Sequence, residues 1–492
     1  MNDKNQLISY KKAVKYQIRS WKILGKLCPG LFVSSILFSV FDASIPLVEV
    51  WLSARILNEL AGGRDPHTLF QLILIQLITS AALAAGRGGL LRWKNYEEAS
   101  AYKVKERVYV EKFLSMDYAD IDRQYVYDLF SQIRQAENWG GWGLEDSIER
   151  VTTFATQLIR IFGGIGLSVS LFILKVPESG GYGWLNHPLC IAVILAILVF
   201  VTLASSSCAN QANKQLTRLA DDMLLGNRYF GFYGQMCLER ERAADLRMYE
   251  QQERVCDPYL AMSVFFQKHS MMTRIYGSLM GLWKGLSASL SAVLTGAIYL
   301  FVCIKAWAGA FGAGSIAQYV GAITSLFIGL SDLLQSLGTM RLNGTYLEYI
   351  YELLDIPNNM YQGSLTTEKR SDREYDVEFR DVSFKYPGSD VYALRHVNMK
   401  FKVGRRIAVV GMNGSGKTTF IKLLCRLYDP TEGEILLNGI DIRKYRYDDY
   451  IRIFSVVFQD FRLFALPLGE NVAGAREYDR EKVMDCLAKA GF

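Results

Sequence analysis

Six long apolar stretches in the first two-thirds of the chain constrain its fold more than any other feature. They lie at approximately 31–57, 69–91, 153–176, 188–207, 275–304 and 315–338. Each can cross the ~30 Å hydrocarbon core of a bilayer as a helix, which takes about 20 residues. One such stretch is compatible with a buried helix of a soluble protein, but six of them predict a membrane domain with six spans.

The distribution of Lys and Arg between these stretches predicts how the chain is oriented. Basic residues are concentrated before the first stretch and between the second and third, whereas the first–second and third–fourth connections carry almost none. Lys and Arg accumulate on the cytoplasmic side of membrane proteins. We therefore expect a multi-pass protein of the cell membrane with its N-terminus, two long connections and C-terminal part in the cytoplasm. The net charge of +6 fits this bias, so we expect no nucleic-acid partner.

The two long connections, of about 60 residues each, carry apolar residues at helical spacing among charged ones. We expect the membrane helices to continue into the cytoplasm and fold back there. Two aromatic patches, 138–142 and 229–233, are candidates for turns that contact another domain. The alternative is that these aromatic residues pack against neighbouring helices.

A few charged residues fall inside the predicted spans, where each costs ~2.5–3.5 kcal/mol at mid-bilayer unless it faces a bundle interior or water. These residues are Asp42, Glu49, Arg160, Lys284 and Asp332. Asp42 and Glu49 share a helix face and therefore favour a path for cationic substrates. Alternatively, they pair with Lys284 or Arg160, or lie in parts of helices that leave the membrane.

The composition changes after Asp355, and this change marks a second domain. The polar segment 356–375 is typical of a linker, and alternating residues over Tyr375–Tyr386 predict a strand. The apolar run Arg406–Gly411 is typical of a buried strand. We therefore divide the chain into a transmembrane domain, 1–355, a linker, 356–375, and a second domain, 376–492.

A glycine-rich motif in the second domain predicts a phosphate-binding loop. Residues 411–419 read GMNGSGKTT and match G-x-x-x-x-G-K-[ST], with a predicted strand before the motif and a helix after it. Successive backbone N–H groups can converge on phosphate oxygens, and the helix directs its positive end at the same anion. Lys417 can reach the β- and γ-phosphates, and the Thr418 hydroxyl can ligate Mg²⁺. The expected ATP-binding residues are Gly411, Asn413, Gly414, Ser415, Gly416, Lys417, Thr418 and Thr419.

The run GMNGSGKTTFIKLLCRLYDPTEGEILLNGIDI resembles the ATP-binding domain of ABC transporters. Together with the six spans and two long connections, it resembles an exporter-type half-transporter. The resemblance implies a membrane α-helical six-span exporter domain followed by the N-terminal portion of an α/β P-loop NTPase domain. It also implies that Tyr386 stacks on adenine and that Gln459 contacts Mg²⁺ and the attacking water. Lys417 and Gln459 are then the expected catalytic residues.

The resemblance further implies an ABC-type ATPase coupled to export, that is, a translocase. Two half-transporters, identical or different, would sandwich ATP and alternate access across the lipid bilayer. The ends of the two cytoplasmic connections would be coupling helices, the second one just ahead of Arg242. The exported substrate would be a peptide, a lipid or a drug-like molecule.

The sequence departs from the family pattern after Gln459. It has no LSGGQ-type signature, no Asp-Glu pair at the end of an apolar strand and no histidine after His396. We therefore expect a C-terminally incomplete chain without the catalytic part of the ATPase. Two alternatives stay open. The chain is a non-hydrolysing ATP-binding partner in a heterodimer, or it is a P-loop kinase or GTPase fused to a membrane anchor.

Overall fold

The computed structural model describes residues 8–177, 182–236, 239–251, 253–255, 257, 273, 277, 279–360, 363–367, 375–403, 406–459 and 461–492. The chain forms two compact units. The first comprises Met1–Met116 and Ile121–Pro357, and the second comprises Asp117–Asp120 and Asn358–Phe492. Four residues of the first long connection therefore belong to the second unit.

The N-terminal part of the chain is helical. Its helices are α1 (Tyr10–Leu27), α2 (Pro29–Ala61), α3 (Pro66–Ser115), α4 (Tyr118–Ile121), α5 (Gln124–Gly140), α6 (Leu144–Ile173), α7 (Pro188–Met236), α8 (Arg240–Met248), α9 (Leu279–Trp307) and α10 (Ala313–Leu354). Local chemistry sets several of their ends. The Asp65 carboxylate accepts hydrogen bonds from the N–H groups of His67 and Thr68 and so caps α3. Gly141 ends α5 in the left-handed conformation, with φ 64°.

Within the described residues, six helices are long and apolar enough to cross a membrane, which confirms the six predicted spans. They are α2, α3, α6, the first part of α7 (Pro188–Lys214), α9 and α10. Helix α3 has 50 residues, and at 1.5 Å per residue it extends for about 75 Å. Since the hydrocarbon core takes only ~30 Å, α3 continues well beyond it, as the periodicity of the first connection predicted.

The membrane helices pack through small residues. Helix α10 lies against α6 and α2, while α7 packs on α9 and α3 on α2. A Cβ atom at Gly164 of α6 would lie 2.8 Å from the carbonyl oxygen of Ala322 on α10. The backbones of these two helices therefore approach closely only because residue 164 is glycine, a common device in membrane bundles.

Two charged residues in the spans have partners other than those of the alternative considered from the sequence. Asp42 accepts a hydrogen bond of 2.6 Å from the Nε of Arg87 on α3, so the alternative in which it pairs with Lys284 or Arg160 is wrong. Arg160 instead lies 3.7 Å from Asp332, between a guanidinium nitrogen and a carboxylate oxygen. Helices α2 and α3 are consecutive antiparallel neighbours, which brings Arg87 to Asp42. Glu49 is exposed, and its role in a substrate path stays a prediction.

For Trp142 of the aromatic patch 138–142, the structure shows the second of the two alternatives, packing against a neighbouring helix. The Trp142 ring stacks on Tyr346 of α10, within the first unit, at 5.6 Å between centroids. The residues that enter the second unit from this connection are Asp117–Asp120, one helix earlier. The second patch, 229–233, lies on α7; its residues 229–231 have side chains outside the described part of the structure, so its role stays a prediction.

The second unit is built on an antiparallel sheet with the strand order β2-β1-β3-β4. Its elements are β1 (Asp376–Lys385), β2 (Tyr392–Lys402), α11 (Lys417–Leu424), β3 (Glu432–Leu437), β4 (Ile440–Asp441), α12 (Tyr447–Ile451), α13 (Leu468–Ala473) and α14 (Arg480–Ala490). The predicted strand at 375–386 and the helix after the glycine-rich motif are confirmed. Alternate residues of β1, among them Val377 and Phe379, form a core with Phe420 and Leu423 of α11.

The predicted buried strand at 406–411 is wrong. Residues 406–410 adopt no regular structure and are exposed, with 90% of Val410 accessible to solvent. A buried strand needs hydrogen-bonding neighbours, and the four strands of the described sheet pair only with one another. The apolar run 406–410 is therefore exposed because no strand of the described sheet pairs with it.

Candidate nucleotide-binding site

The glycine-rich loop leads from residue 411 into the first turn of α11. The backbone φ is +81° at Gly414 and +90° at Gly416, a region that glycine enters without steric cost. A Cβ at Gly416 would lie 2.6 Å from Cδ2 of Leu394 and 2.9 Å from the carbonyl oxygen of Ala393. Residue 416 must therefore be glycine for the loop to lie against β2. A Cβ placed at Gly414 would have no neighbouring atom within 4 Å.

The side chain of Lys417 folds back over the loop. Its Nζ donates hydrogen bonds of 2.8 Å to the carbonyl oxygens of Gly411 and Met412. Residues 411–415 are exposed, including Asn413 and Ser415. The N–H of Ser415 donates to the carbonyl of Met412 at 3.1 Å, which closes a tight turn. A curled, exposed loop that joins an ammonium group to a helix N-terminus fits a phosphate anion.

The two threonines that follow Lys417 face opposite environments. Thr418 is exposed, so its hydroxyl is accessible to a bound metal ion. Thr419 is buried, and its Oγ1 lies 2.9 Å from the hydroxyl of Tyr386. The structure thus brings together Tyr386 and the motif, which are 33 residues apart in sequence. The Tyr386 ring also packs edge-on against Phe384 and Tyr428, with centroids 5.1 and 5.4 Å away.

Comparison with known proteins extends from the motif to the membrane helices. The family model described as ABC transporter matches residues 394–491. The subtilin transport ATP-binding protein SpaT of Bacillus subtilis is 23% identical over 481 residues, which are 93% of this chain and 70% of that protein. The ATP-dependent lipid A-core flippase of Escherichia coli K12 is 27% identical over 356 residues, 70% of this chain and 56% of the flippase.

The SpaT match runs through both units of the chain, and the glycine-rich loop lies within the matched domain. Residues 394–491 belong to the ABC transporter family, and the chain has the organisation of an exporter-type half-transporter. Its membrane domain is fused to an ATP-binding domain that matches the ABC transporter model, and this match argues against the kinase and GTPase alternative. The half-transporter spans just over half the length of the flippase and 70% of SpaT.

Gln459 of the half-transporter is exposed, in a turn that follows Phe458. The apolar residues before it, Val456 and Val457, are exposed as well, so this segment resembles 406–410 in lacking strand partners among the described residues. The roles of Gln459 in binding Mg²⁺ and in catalysis stay predictions.

A set of polar contacts in the second unit could not be identified from the sequence. These contacts involve Asp117, the first of the four residues that the first long connection contributes to this unit. The carboxylate of Asp117 accepts hydrogen bonds from the N–H groups of Asn359, at 2.6 Å, and Met360, at 3.2 Å. Arg426, only 1% exposed, donates to the carbonyl oxygens of Met360 and Tyr445 at 3.0 and 3.3 Å. The backbone at 359–360 is therefore held by a carboxylate and a guanidinium.

The signal that marks these contacts in the sequence is weak. Asp117-Tyr-Ala-Asp is a short acidic break between two helical patterns, and many interhelical turns have the same composition.

Cys425, next to Arg426, is buried, and this burial raises the pKa of its thiol to about 11. This thiol is therefore protonated at neutral pH and is not a nucleophile.

Proposed function

We propose that this half-transporter binds MgATP in the loop 411–419 and uses it to drive export of a substrate across the cell membrane. The observation that carries the proposal is the position of Lys417, whose ammonium lies over the carbonyl groups of a curled, exposed loop. The membrane helices α2, α3, α6, α7, α9 and α10 support transport as the output.

In this proposal each residue of the loop has a separate task. The backbone N–H groups of 411–416 bind phosphate oxygens. The Lys417 ammonium leaves the carbonyl oxygens of Gly411 and Met412 and binds the β- and γ-phosphates. Thr418 and Gln459 hold Mg²⁺, which neutralises charge on the phosphates. Tyr386 stacks on adenine, since its ring is held at the loop by the contact with Thr419. Gln459 also orients the attacking water.

The proposed working unit is a pair of half-transporters, identical or different, with the ATP-binding domains in the cytoplasm. ATP binds the two conformations of the pair with different affinity, and this difference shifts the membrane domains from inward to outward access. Hydrolysis then removes the ligand that favours the outward state. The basic N-terminal segment supports the cytoplasmic placement.

The proposed substrate is a peptide, a lipid or a drug-like molecule. One relative is named for subtilin transport and another is named as a lipid A-core flippase, and these names support a substrate within this range. A path that selects cations would depend on Glu49, because Asp42 is already paired with Arg87. The double variant Asp42→Asn, Glu49→Gln tests this path: unchanged preference for cationic substrates would refute it.

The proposal is tested with the full chain reconstituted in proteoliposomes, alone and with candidate partner halves. We expect MgATP binding that is lost in Lys417→Ala. Because residues 1–492 contain no signature motif and no Asp-Glu pair, we expect hydrolysis stimulated by candidate peptides or lipids only in protein that carries those segments, and loss of that hydrolysis in Lys417→Ala. Lys482→Ala, which removes an exposed lysine on α14, is the matched control and retains activity. Equal activity of the Lys417→Ala variant would refute the proposal.

One further outcome separates the two roles of the chain in a dimer. ATP binding without hydrolysis, with hydrolysis restored only by a different half-transporter, would identify the non-hydrolysing ATP-binding partner of a heterodimer.

A further inference from the structure

A second lysine of α11, five residues after Lys417, lies among three tyrosine rings. The Nζ of Lys422 is 5.4 Å from the ring centroid of Tyr386 and 5.8 Å from those of Tyr118 and Tyr428. These distances are within the ~6 Å over which an aromatic face attracts a cation. The glycine-rich motif gives Lys422 no function, so its position needs another explanation.

The three tyrosines come from separate parts of the sequence. Tyr386 follows β1, Tyr428 follows α11, and Tyr118 belongs to the four residues that the first long connection contributes to the second unit. Tyr428 is 1% exposed and forms the centre of the group. Its ring meets Tyr118 and Tyr386 edge-on, at 5.4 Å from each and with interplanar angles of 89° and 86°. Edge-to-face pairs of this kind are favourable beyond the area they bury.

Tyr386 and Tyr118 are also fixed from their other sides. The hydroxyl of Tyr386 pairs with Thr419, and the carboxylate of Asp117 holds the segment with Tyr118 against the backbone of residues 359 and 360. A continuous set of contacts thus runs from Asp117–Asp120 through Tyr428 and Lys422 to Tyr386. The Tyr386 ring is therefore in contact with a lysine and a tyrosine outside the phosphate-binding loop, Lys422 and Tyr428.

We propose that Lys422 and Tyr118 are positioning residues for the adenine site. They hold the Tyr386 ring in the orientation in which it stacks on the base, so the affinity for ATP depends on whether residues 117–120 are seated. By linkage, bound ATP strengthens the seating of these residues by the same factor. This inference rests on the proposed function, because it assigns further residues to the same ATP site.

The test compares a ligand that has the base with one that lacks it. Binding of MgATP and of inorganic tripolyphosphate is measured on the full chain in detergent for the wild type, Lys422→Met and Tyr118→Ala. We expect each substitution to raise the Kd for MgATP roughly 3- to 10-fold, the loss of about one or two cation–π or ring contacts. The Kd for tripolyphosphate should stay unchanged, because the phosphate loop is intact.

Two conservative variants and one control exclude a general loss of structure. Lys422→Arg keeps the cation and Tyr118→Phe keeps the ring, so both should bind MgATP within twofold of the wild type. Lys482→Met, on α14, should bind both ligands normally. Equal weakening of both ligands, or unchanged MgATP binding in both Lys422→Met and Tyr118→Ala, would overturn the inference.

The same titrations separate this inference from the proposed function. Failure of the wild type to bind either ligand would refute both. Normal MgATP binding by Tyr386→Ala, together with loss of binding in Lys417→Ala, would refute the adenine-site inference and leave the phosphate loop in place.

Discussion

The two units of the half-transporter both bury some charged groups, but they differ in where their exposed apolar side chains lie. The first unit buries charged groups such as Lys105, which is 6% exposed, while Phe162 and Phe200 on the spans are 70% and 71% exposed. The second unit buries an aromatic and aliphatic core together with Arg426 and Asp117, and Lys417 of its functional loop is half-buried. Exposure of an apolar side chain therefore has a different meaning in each unit.

In the first unit, the hydrocarbon core of the bilayer accounts for exposed apolar residues, because lipid rather than water covers them. In the second unit no lipid is expected, yet Val410 and Val457 are 90% and 81% exposed. These residues lie in the two apolar runs that form no strand. The contrast teaches that hydropathy identifies the spans reliably, whereas in the ATP-binding domain strand pairing decides which apolar runs are buried.

The largest expected effect tests the buried charges of the first unit. Lys105 lies 3.3 Å from Glu137 and 3.0 Å from Glu145, and the Tyr109 hydroxyl donates to Glu137 at 2.7 Å. Lys105→Met leaves Glu137 buried without its lysine and should destabilise the protein by about 3–5 kcal/mol. Thermal unfolding in detergent measures this loss. Lys103→Met, at an exposed position two residues away, is the control and should change stability by less than about 0.5 kcal/mol.

The same variant has a pH dependence with a definite sign. Burial raises the pKa of Glu137 above its ordinary value of 4.5, and removing Lys105 should raise it further. A carboxyl with a raised folded-state pKa favours the fold when protonated, and this contribution disappears as pH rises through that pKa. The deficit of Lys105→Met should therefore be smaller at acidic pH than at pH 8. A deficit that does not vary with pH would show that the loss of the Lys105 contact with Glu137 is not its cause.

The next effect tests burial in the second unit. Phe379 is 1% exposed and lies 4.8 Å from the ring of Phe420, so Phe379→Ala should cost about 3–5 kcal/mol. Val410→Ala, at a 90% exposed position, should cost no more than about 0.5 kcal/mol. Equilibrium unfolding of both variants measures the difference. A large loss in Val410→Ala would show that residues 406–411 form the buried strand that the sequence predicted.

A smaller effect separates the two glycines of the loop. In Gly416→Ala the new Cβ would overlap with Leu394 and Ala393, and the left-handed backbone would be strained. The free energy of unfolding should fall by about 1–2 kcal/mol for the strain and by about 1–3 kcal/mol for the overpacking. In Gly414→Ala the new Cβ has no neighbouring atom within 4 Å, so only the backbone strain should lower the free energy of unfolding. MgATP affinity should fall more in Gly416→Ala, because the loop must move away from β2. Equal stability of the two variants would contradict the contact with β2.

The smallest effect concerns an exposed ion pair of the first unit. Arg19 binds Asp355 through two hydrogen bonds, one of 2.8 Å, and this holds the pKa of Asp355 below its ordinary value of 3.8. The contribution of Asp355 to stability is therefore full above about pH 5 and is lost as pH falls through the lowered pKa. Because both side chains are exposed, Asp355→Asn should cost less than about 1 kcal/mol at pH 7 and nothing at the lowest pH. A cost that persists in acid would refute this assignment.

The spans and the phosphate-binding loop could be predicted because each depends on a short, continuous stretch of sequence. The Asp42–Arg87 pair, the seating of Asp117 and the tyrosine group around Lys422 could not. Each of them joins residues from separate helices or loops, and sequence spacing alone does not specify which helices are neighbours. The prediction of a buried strand at 406–411 is wrong for the same reason, since an apolar segment becomes a buried strand only where partner strands flank it.

The most direct test of the central claim is the affinity of the full chain for MgATP, measured by equilibrium binding for the wild type, Lys417→Ala and Lys482→Ala. The account predicts saturable binding in the wild type and in Lys482→Ala, and loss of that binding in Lys417→Ala with unchanged membrane insertion. Undiminished binding by Lys417→Ala would contradict the account, because the site would then lie outside the loop 411–419.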